Sequence, residues 1–235
     1  MIAIDGEART GKSTACRLLA ARFAVPFLES GVLYRLATAI AIEGSIDPSD
    51  GPAIIQGYLA ARVNIIGGQT VETPGLVSRP LLRTPGVDRF VGTISSHAGL
   101  RSEITNTIRT WAEHRGGDVV VEGRDIGTRV CPDAMAKFYL VSNLDAKVHR
   151  GGKQADAASP DEVRKSILER DRQDSSRPLD PMAPAVDAVV IDTSDLSPGQ
   201  VLEAMAIVVL ERGYTPTPAA RSKDRPLEPP GLGFR

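Results

Sequence analysis

Gly6 and Gly11 enclose a four-residue loop that runs directly into Lys12, Ser13 and Thr14. The apolar run Met1 to Ile4 precedes the loop, and a run with helical spacing, Ala15 to Phe23, follows it. A G-x-x-x-x-G-K-[ST] loop between a strand and a helix is the phosphate-binding P-loop. The segment therefore predicts an α/β protein that binds a nucleotide.

Each position of this loop has a chemical role. The two glycines let the backbone turn tightly, and the inward N–H groups form a concavity that binds anions. Lys12 is expected to reach the β- and γ-phosphates of ATP, and the Ser13 hydroxyl to bind Mg²⁺, the predicted cofactor. The predicted ATP-binding residues are Gly6, Ala8, Arg9, Thr10, Gly11, Lys12, Ser13 and Thr14.

Composition excludes several other classes of protein. The chain has 235 residues, 42% of them hydrophobic and 24% charged, and a formal net charge of −1. Such a balance predicts no nucleic-acid partner, and no apolar run is long enough to span a membrane. Cys16 and Cys131 have neither metal-binding nor redox spacing, so we expect reduced thiols and a cytoplasmic location.

Strand-like and helix-like runs alternate outside the middle of the chain, which predicts a parallel sheet with crossover helices. The predicted strands are Ile2–Asp5, Pro26–Leu28, Asp118–Glu122, Ala136–Val141 and Ala188–Ile191. The predicted helices are Lys12–Phe23, Leu33–Ile42, Gly99–His114, Pro160–Asp171 and Ser197–Arg212.

The middle of the chain has a different pattern. Residues 47–89 are rich in Gly and Pro and carry two short candidate strands, Arg62–Ile66 and Gln69–Glu72, around Gly67-Gly68. This pattern predicts a small antiparallel insertion. The Pro-rich tail, residues 214–235, is expected to be disordered.

Arginines and hydroxyl groups follow the predicted strands, where ligands of open parallel sheets bind. Ser30 and Arg35 follow the second strand, and Arg124 with Asp125 follows the third. Arg101 lies on a predicted helix, and a second helix leads through Arg170 and Asp174 to Arg177. Phosphoryl transfer needs positive charge around the moving group. A P-loop combined with these arginines suggests a kinase whose acceptor is itself a phosphate.

Two motifs are more specific than the P-loop: Gly-Arg-Asp-Ile-Gly-Thr at 123–128 and Arg-Asp-x-x-Asp-x-x-Arg at 170–177. With them the chain resembles the bacterial-type cytidylate kinases, P-loop kinases of nucleoside monophosphates, from Ile2 to about Glu211. The resemblance implies five parallel strands flanked by helices, a small insertion that binds the nucleoside monophosphate, and a short lid over ATP. It places the kinase domain at 1–213, the insertion at about 47–95 and the lid at about 147–159.

The resemblance also implies roles for individual residues. Lys12, Arg124, Arg177 and Arg150 would be the catalytic residues, with Arg150 as the lid arginine that holds the γ-phosphate. The substrates would be ATP and CMP or dCMP, and the protein would be a monomer. The implied CMP contacts are Ser30, Arg35, Arg124 and Arg177 to the phosphate, Arg170 and Asp174 to the ribose, and Arg101 and Asp125 to the cytosine.

Three other functions stay open at this stage. Gly92 stands where the family usually has a serine that contacts the base. A kinase that uses a different acceptor, such as UMP, or that selects its acceptor less strictly, therefore remains an alternative. A GTPase-like switch is disfavoured because the chain has no Asn-Lys-x-Asp motif. The short lid, interrupted by Gly151-Gly152, leaves room for a nucleotide-binding module without turnover.

Overall fold

The structure, a computed structural model, describes residues 1–61, 82–152 and 159–215, together with the backbone of residues 64–66 and 70–72. These residues divide into two compact units. The first consists of the described parts of Met1–Ser30 and Thr105–Arg221, and the second of the described parts of Gly31–Ile104.

A five-stranded parallel sheet forms the centre of the first unit and confirms the predicted fold class. Its strands are β1 (Ile2–Gly6), β2 (Phe27–Glu29), β5 (Val120–Glu122), β6 (Ala136–Val141) and β7 (Val189–Asp192). Their order across the sheet is β2-β5-β1-β6-β7. Because β1 is the middle strand, the loop that follows it lies at the centre of the sheet's carboxyl edge.

The helices of the first unit are α1 (Lys12–Phe23), α6 (Leu144–Gly152), α7 (Pro160–Ser175) and α8 (Pro198–Glu211), together with most of α5 (Ala98–Glu113). Helices α1 and α8 share a buried apolar core with the sheet, which includes Ile4, Leu19, Phe138 and Met205. A single turn of π-helix, Ile126–Val130, follows β5.

The second unit is mainly helical. It contains α2 (Gly31–Glu43), α3 (Gly51–Ala60), α4 (Pro85–Ile94) and the first part of α5. Its core joins Leu36 and Ala39 of α2 to Leu82 and Val87. The strands β3 (Asn64–Ile66) and β4 (Thr70–Glu72) pair antiparallel.

The reading of residues 47–89 as an antiparallel insertion was wrong for α3 and the start of α4, which are helical. The Asp50 carboxylate caps α3 by accepting from the amide of Ala53 at 3.0 Å, and the Thr84 hydroxyl caps α4 by accepting from Val87 at 3.3 Å. Each helix has a proline in its first turn, where no backbone N–H is needed. Glycine and proline therefore mark helix starts here.

Several sequence predictions extend beyond the described residues. Residues 62, 63 and 69 of the two candidate strands, residues 153–158 of the lid and residues 216–235 of the tail lie outside them. The domain limits remain predictions. No helix in the described ranges is long and apolar enough to cross a membrane.

Candidate active site

The P-loop turns from β1 into α1 in the predicted place. Gly6 has a φ of 137°, and a Cβ atom on it would lie 2.1 Å from the carbonyl oxygen of Leu140. Only glycine fits this approach to β6. The Thr10 hydroxyl donates to the carbonyl of Glu7 at 3.0 Å and stabilises the turn from within.

Lys12 lies inside the loop, with only 6% of its surface exposed. Its Nζ donates to the carbonyl oxygen of Glu7 at 2.5 Å. Burial lowers the pKa of Lys12 to about 7, and the positive charges of Arg124 and Arg170 act in the same direction. The loop thus holds a cation whose charge a bound phosphate would stabilise.

Ser13 and Glu122 form an oxygen pair beside the loop. The Ser13 hydroxyl donates to Oε1 of Glu122 at 3.1 Å. Burial raises the pKa of Glu122, although Lys12 and Arg124 oppose the shift. Hydroxyl and carboxylate oxygens are ligands that Mg²⁺ accepts, directly or through its waters. These two residues fit an Mg²⁺ ion that accompanies ATP.

Arg124 connects the end of β5 to both the P-loop and α7. Its Nη1 donates to the carbonyl oxygen of Gly6 at 3.0 Å, and its Nε donates to Oδ2 of Asp174 at 2.7 Å. Arg177 lies on the other side of Asp174, with Nη2 3.1 Å from Oδ1. Burial alone would raise the pKa of Asp174, but Arg124 and Arg177 outweigh burial and lower it.

One guanidinium nitrogen in this cluster is a donor without a hydrogen bond in the described part of the chain. Nη2 of Arg177 is buried, and it makes no hydrogen bond with the residues that the structure describes, although Asp174 is within ion-pair distance. A buried donor without a hydrogen bond is costly unless a ligand accepts from it. The first unit therefore presents guanidinium groups beside the P-loop that suit an anion.

A buried lysine on α6 ties the P-loop to two helices. Lys147 Nζ donates to the Glu7 carboxylate and to Oδ2 of Asp171, the latter at 3.0 Å. The other carboxylate oxygen of Asp171 accepts from the backbone amide of Ala8 at 2.7 Å. These contacts fix the shape of the loop from outside.

Arg150 lies on α6 and belongs to a network at the end of β7. It donates to the Ser142 hydroxyl at 3.0 Å, to the Thr193 hydroxyl at 3.2 Å and to the Thr193 carbonyl. The Thr193 hydroxyl in turn donates to the carbonyl of Thr10 in the P-loop at 2.9 Å. In this structure Arg150 braces the loop through Thr193.

The remaining predicted residues are divided between the units. In the first unit, Ser30 and Asp125 are buried. In the second unit, Arg35 pairs with Asp88 at 2.8 Å and donates to the carbonyl of Leu82 at 2.8 Å. Arg101 is buried there, with its guanidinium 5.5 Å from the centre of the Tyr34 ring. The contacts above bring together the P-loop, Glu122, Arg124, Asp174 and Arg177.

Comparison with known proteins identifies the family. The family model described as cytidylate kinase matches residues 2–210, nearly the whole chain. The chain belongs to the cytidylate kinase family. Its nucleotide-binding loop and its cluster of arginines are therefore features of a cytidylate kinase family member.

Individual cytidylate kinases are similar over most of their length. The cytidylate kinase of Streptomyces avermitilis is 36% identical over 218 residues, which covers 90% of this chain and 93% of that protein. The cytidylate kinase of Corynebacterium efficiens is 37% identical over 209 residues, with coverages of 86% and 90%. Among solved structures, an uncharacterized protein from Eubacterium ventriosum shares the fold, with a TM-score of 0.50 and 14% identity over 90% of this chain and 97% of that one.

Sequence reasoning missed Asp5, which positions the arginine-bearing loop of this cytidylate kinase family member. Its two carboxylate oxygens accept from the amides of Ile126 at 2.8 Å and Gly127 at 2.7 Å. The π-helical turn after Arg124 and Asp125 is thereby anchored to β1. One signal could have revealed it, because Asp5 is a charged residue in a strand that is otherwise apolar and buried throughout.

Asp5 should make the stability of the protein depend on pH. Burial raises the pKa of Asp5 to about 6, against the opposing effect of the two amide bonds. The folded state therefore binds this proton more tightly than the unfolded state, and the stabilisation is lost as the pH rises through about 6. Relative to Asp5→Asn, the parent should gain about 1 kcal/mol of unfolding free energy between pH 7 and pH 5.

Urea unfolding of both proteins at the two pH values measures this difference. Asp187→Asn is the control, because Asp187 pairs with Lys137 and has a lowered pKa. Relative to Asp187→Asn, the parent should gain no unfolding free energy between pH 7 and pH 5. A parent–Asp5→Asn difference that is the same at both pH values would contradict the raised pKa.

Proposed function

We propose that this protein transfers the γ-phosphoryl group of ATP to CMP or dCMP and releases ADP with CDP or dCDP. The observation that carries the proposal is the position of Arg124, which joins the P-loop carbonyl of Gly6 to Asp174. A guanidinium at this place can bind an anionic acceptor next to the ATP phosphates. Membership of the cytidylate kinase family supports cytidine as the nucleoside.

The P-loop is proposed to hold ATP through its backbone amides and Lys12. Ser13, with Glu122 beside it, would hold Mg²⁺, which neutralises phosphate charge when it is bound. Arg124 and Arg177 are proposed to hold the acceptor phosphate. The buried Nη2 of Arg177 can donate a hydrogen bond to a phosphate oxygen. Planar guanidinium groups suit phosphate oxygens better than ammonium groups do.

The reaction needs no covalent intermediate with the protein. An oxygen of the acceptor phosphate attacks the γ-phosphorus in line, and the bond from that phosphorus to the bridging oxygen breaks. The electron pair leaves on the β-phosphate of ADP. No general base is needed, because the acceptor is already an anion at neutral pH. Catalysis rests on positioning and on stabilising the charge of the transferring group.

The other predicted CMP contacts are proposed on family resemblance. Arg170 and Asp174 would bind the ribose, Ser30 and Arg35 the phosphate, and Arg101 and Asp125 the cytosine. A carboxylate and a guanidinium match the donor and acceptor groups on the edge of cytosine. A base that leaves buried groups unpaired would be penalised.

An acceptor panel tests the proposal. ADP release from Mg-ATP is measured with CMP, dCMP, UMP, AMP and GMP in turn. CMP and dCMP should exceed the other acceptors in kcat/KM by at least about 100-fold, since a site with buried polar groups discriminates strongly. Equal use of UMP would show that the pocket does not read cytosine, and Gly92 would be the first position to examine. Binding of ATP without any phosphorylated product would contradict the kinase assignment.

A further inference from the structure

Arg9 occupies an unfavourable backbone conformation inside the P-loop. Its φ is 58°, in the left-handed region that glycine adopts without strain and other residues avoid. Three further non-glycine residues in the described ranges have a positive φ, and they lie elsewhere in the chain: Ala24, Ser45 and Asp180. A glycine at position 9 would adopt this conformation without strain, so an arginine there carries a backbone cost, and such strained positions cluster at functional sites.

The side chain of Arg9 extends from the loop across the end of α6. A Cβ atom on Gly151 would lie 3.1 Å from its Cδ and 3.2 Å from its Nε, and 2.6 Å from Cγ1 of Val163. Any side chain at position 151 would therefore collide with Val163 and crowd Arg9. The small residue leaves room for the Arg9 side chain between the loop and the start of the predicted lid.

Arg150 already has several partners. Its guanidinium donates to the Ser142 hydroxyl, to both oxygens of Thr193 and, at 3.5 Å, to the carbonyl oxygen of Arg9 in the P-loop. Moving it onto a phosphate would break those bonds and release the brace from Thr193 to the P-loop carbonyl of Thr10. The backbone of Arg9 already belongs to the loop that is predicted to hold the ATP phosphates.

From the juxtaposition of the strained P-loop residue Arg9 with Gly151 at the end of α6, we propose that the Arg9 guanidinium is a catalytic residue that binds the transferring phosphoryl group. The inference rests on the proposed kinase function and assigns it a further residue. The guanidinium acts only as a hydrogen-bond donor and forms no bond to phosphorus. It donates to the γ-phosphoryl oxygens while the acceptor–phosphorus bond forms and the bond to the bridging oxygen breaks.

Two substitutions test the proposal. Arg9→Gly removes the guanidinium and also the backbone strain, whereas Arg9→Gln removes the charge and keeps a β-carbon. Both should lower kcat with CMP about 100-fold, the usual effect of losing one transition-state donor. The KM for CMP should change less than about 3-fold, because that interaction strengthens in the transition state. The midpoint of thermal unfolding should rise for Arg9→Gly.

Ala24→Gly is the matched control. Ala24 has a φ of 54° at the end of α1, so the substitution relieves the same kind of strain away from the P-loop. It should raise the unfolding midpoint and leave kcat unchanged. If Arg9→Gln retains kcat within about 3-fold, the proposal is overturned, and a loss confined to Arg9→Gly would assign the effect to loop rigidity.

A binding measurement separates this inference from the choice of acceptor. Mg-ADP with aluminium fluoride imitates the planar phosphoryl group in transfer. Aluminium fluoride should tighten Mg-ADP binding to the parent at least about 10-fold, and both Arg9 variants should lose most of this gain. Equal tightening in the variants, or none in the parent, would overturn the role of Arg9. A parent that fails in the acceptor panel but shows this tightening would contradict CMP as the acceptor and leave Arg9 supported.

Discussion

Lys12→Met is expected to lower kcat with CMP at least about 1,000-fold while the protein stays folded. The lysine is expected to reach the β- and γ-phosphates, and charge stabilisation is the main source of catalysis in phosphoryl transfer. Burial of the ammonium group is unfavourable, as its lowered pKa shows. Methionine fills similar space without the charge, so the free energy of unfolding should be unchanged or higher.

Lys137→Met provides the comparison for Lys12→Met. Lys137 is also a buried lysine, 7% exposed, but it lies in β6 and pairs with Asp187 at 2.9 Å. Its replacement should lower stability and leave kcat close to that of the parent. Steady-state kinetics with Mg-ATP and CMP, together with urea unfolding, measure both effects. A Lys12→Met protein with parental turnover would refute the assignment of the P-loop to ATP.

Arg124→Met should reduce kcat/KM for CMP by about 1,000-fold or more, the scale of effect reported for catalytic arginines in phosphoryl transfer. It should also lower the free energy of unfolding by about 2 kcal/mol, because Asp174 loses a charge-assisted hydrogen bond while the charges of Arg177 and Arg170 remain. The two effects have separate causes, the loss of an anion-binding guanidinium and the loss of an ion pair.

Asp174→Asn separates the two causes. It breaks the same contact with Arg124 but keeps the guanidinium, so its loss of stability should be similar. Its loss of kcat/KM should be at least about 10-fold smaller, because it removes only the proposed ribose contact and keeps the phosphate-binding group. Isothermal unfolding and kinetics on the two variants give the comparison. Equal kinetic losses would indicate that Arg124 acts through the fold and makes no contact with the acceptor.

Local sequence patterns predicted the helices and strands whose bounds are determined by neighbouring residues in the sequence. Helix α1 has the predicted bounds, Lys12–Phe23, because the P-loop fixes its start and the apolar spacing continues to its end. Strand β6 also has its predicted bounds, Ala136–Val141, since its residues are apolar apart from Lys137, and a strand inside a parallel sheet is buried on both faces. Pro52 and Pro85 misled the reading of the middle of the chain, where they open helices.

Features that depend on distant partners were not predicted. The π-helical turn Ile126–Val130 is anchored by Asp5. Its carboxylate accepts from the amides of Ile126 and Gly127, which lie more than a hundred positions later in the chain. The bonds of Lys147 to Glu7 and Asp171 likewise join separate segments. Charge spacing along one helix cannot reveal such contacts, because they arise only when the sheet assembles. For the site, sequence named Arg124 and Asp174 as candidates, and only the fold shows that they pair.

The bonds that Glu7 and Ala8 make bear on how the protein is synthesised. Glu7 and Ala8 leave the ribosome before their partners Lys147 and Asp171, which lie 140 and 163 positions further along the chain. Strand β1 also waits for both of its neighbours, β5 and β6, which begin at Val120 and Ala136. A nascent chain that ends before α7 thus lacks the Asp171 carboxylate, which accepts from the P-loop amide of Ala8 and from Lys147. Until then the apolar central strand depends on chaperones or on the speed of translation for protection.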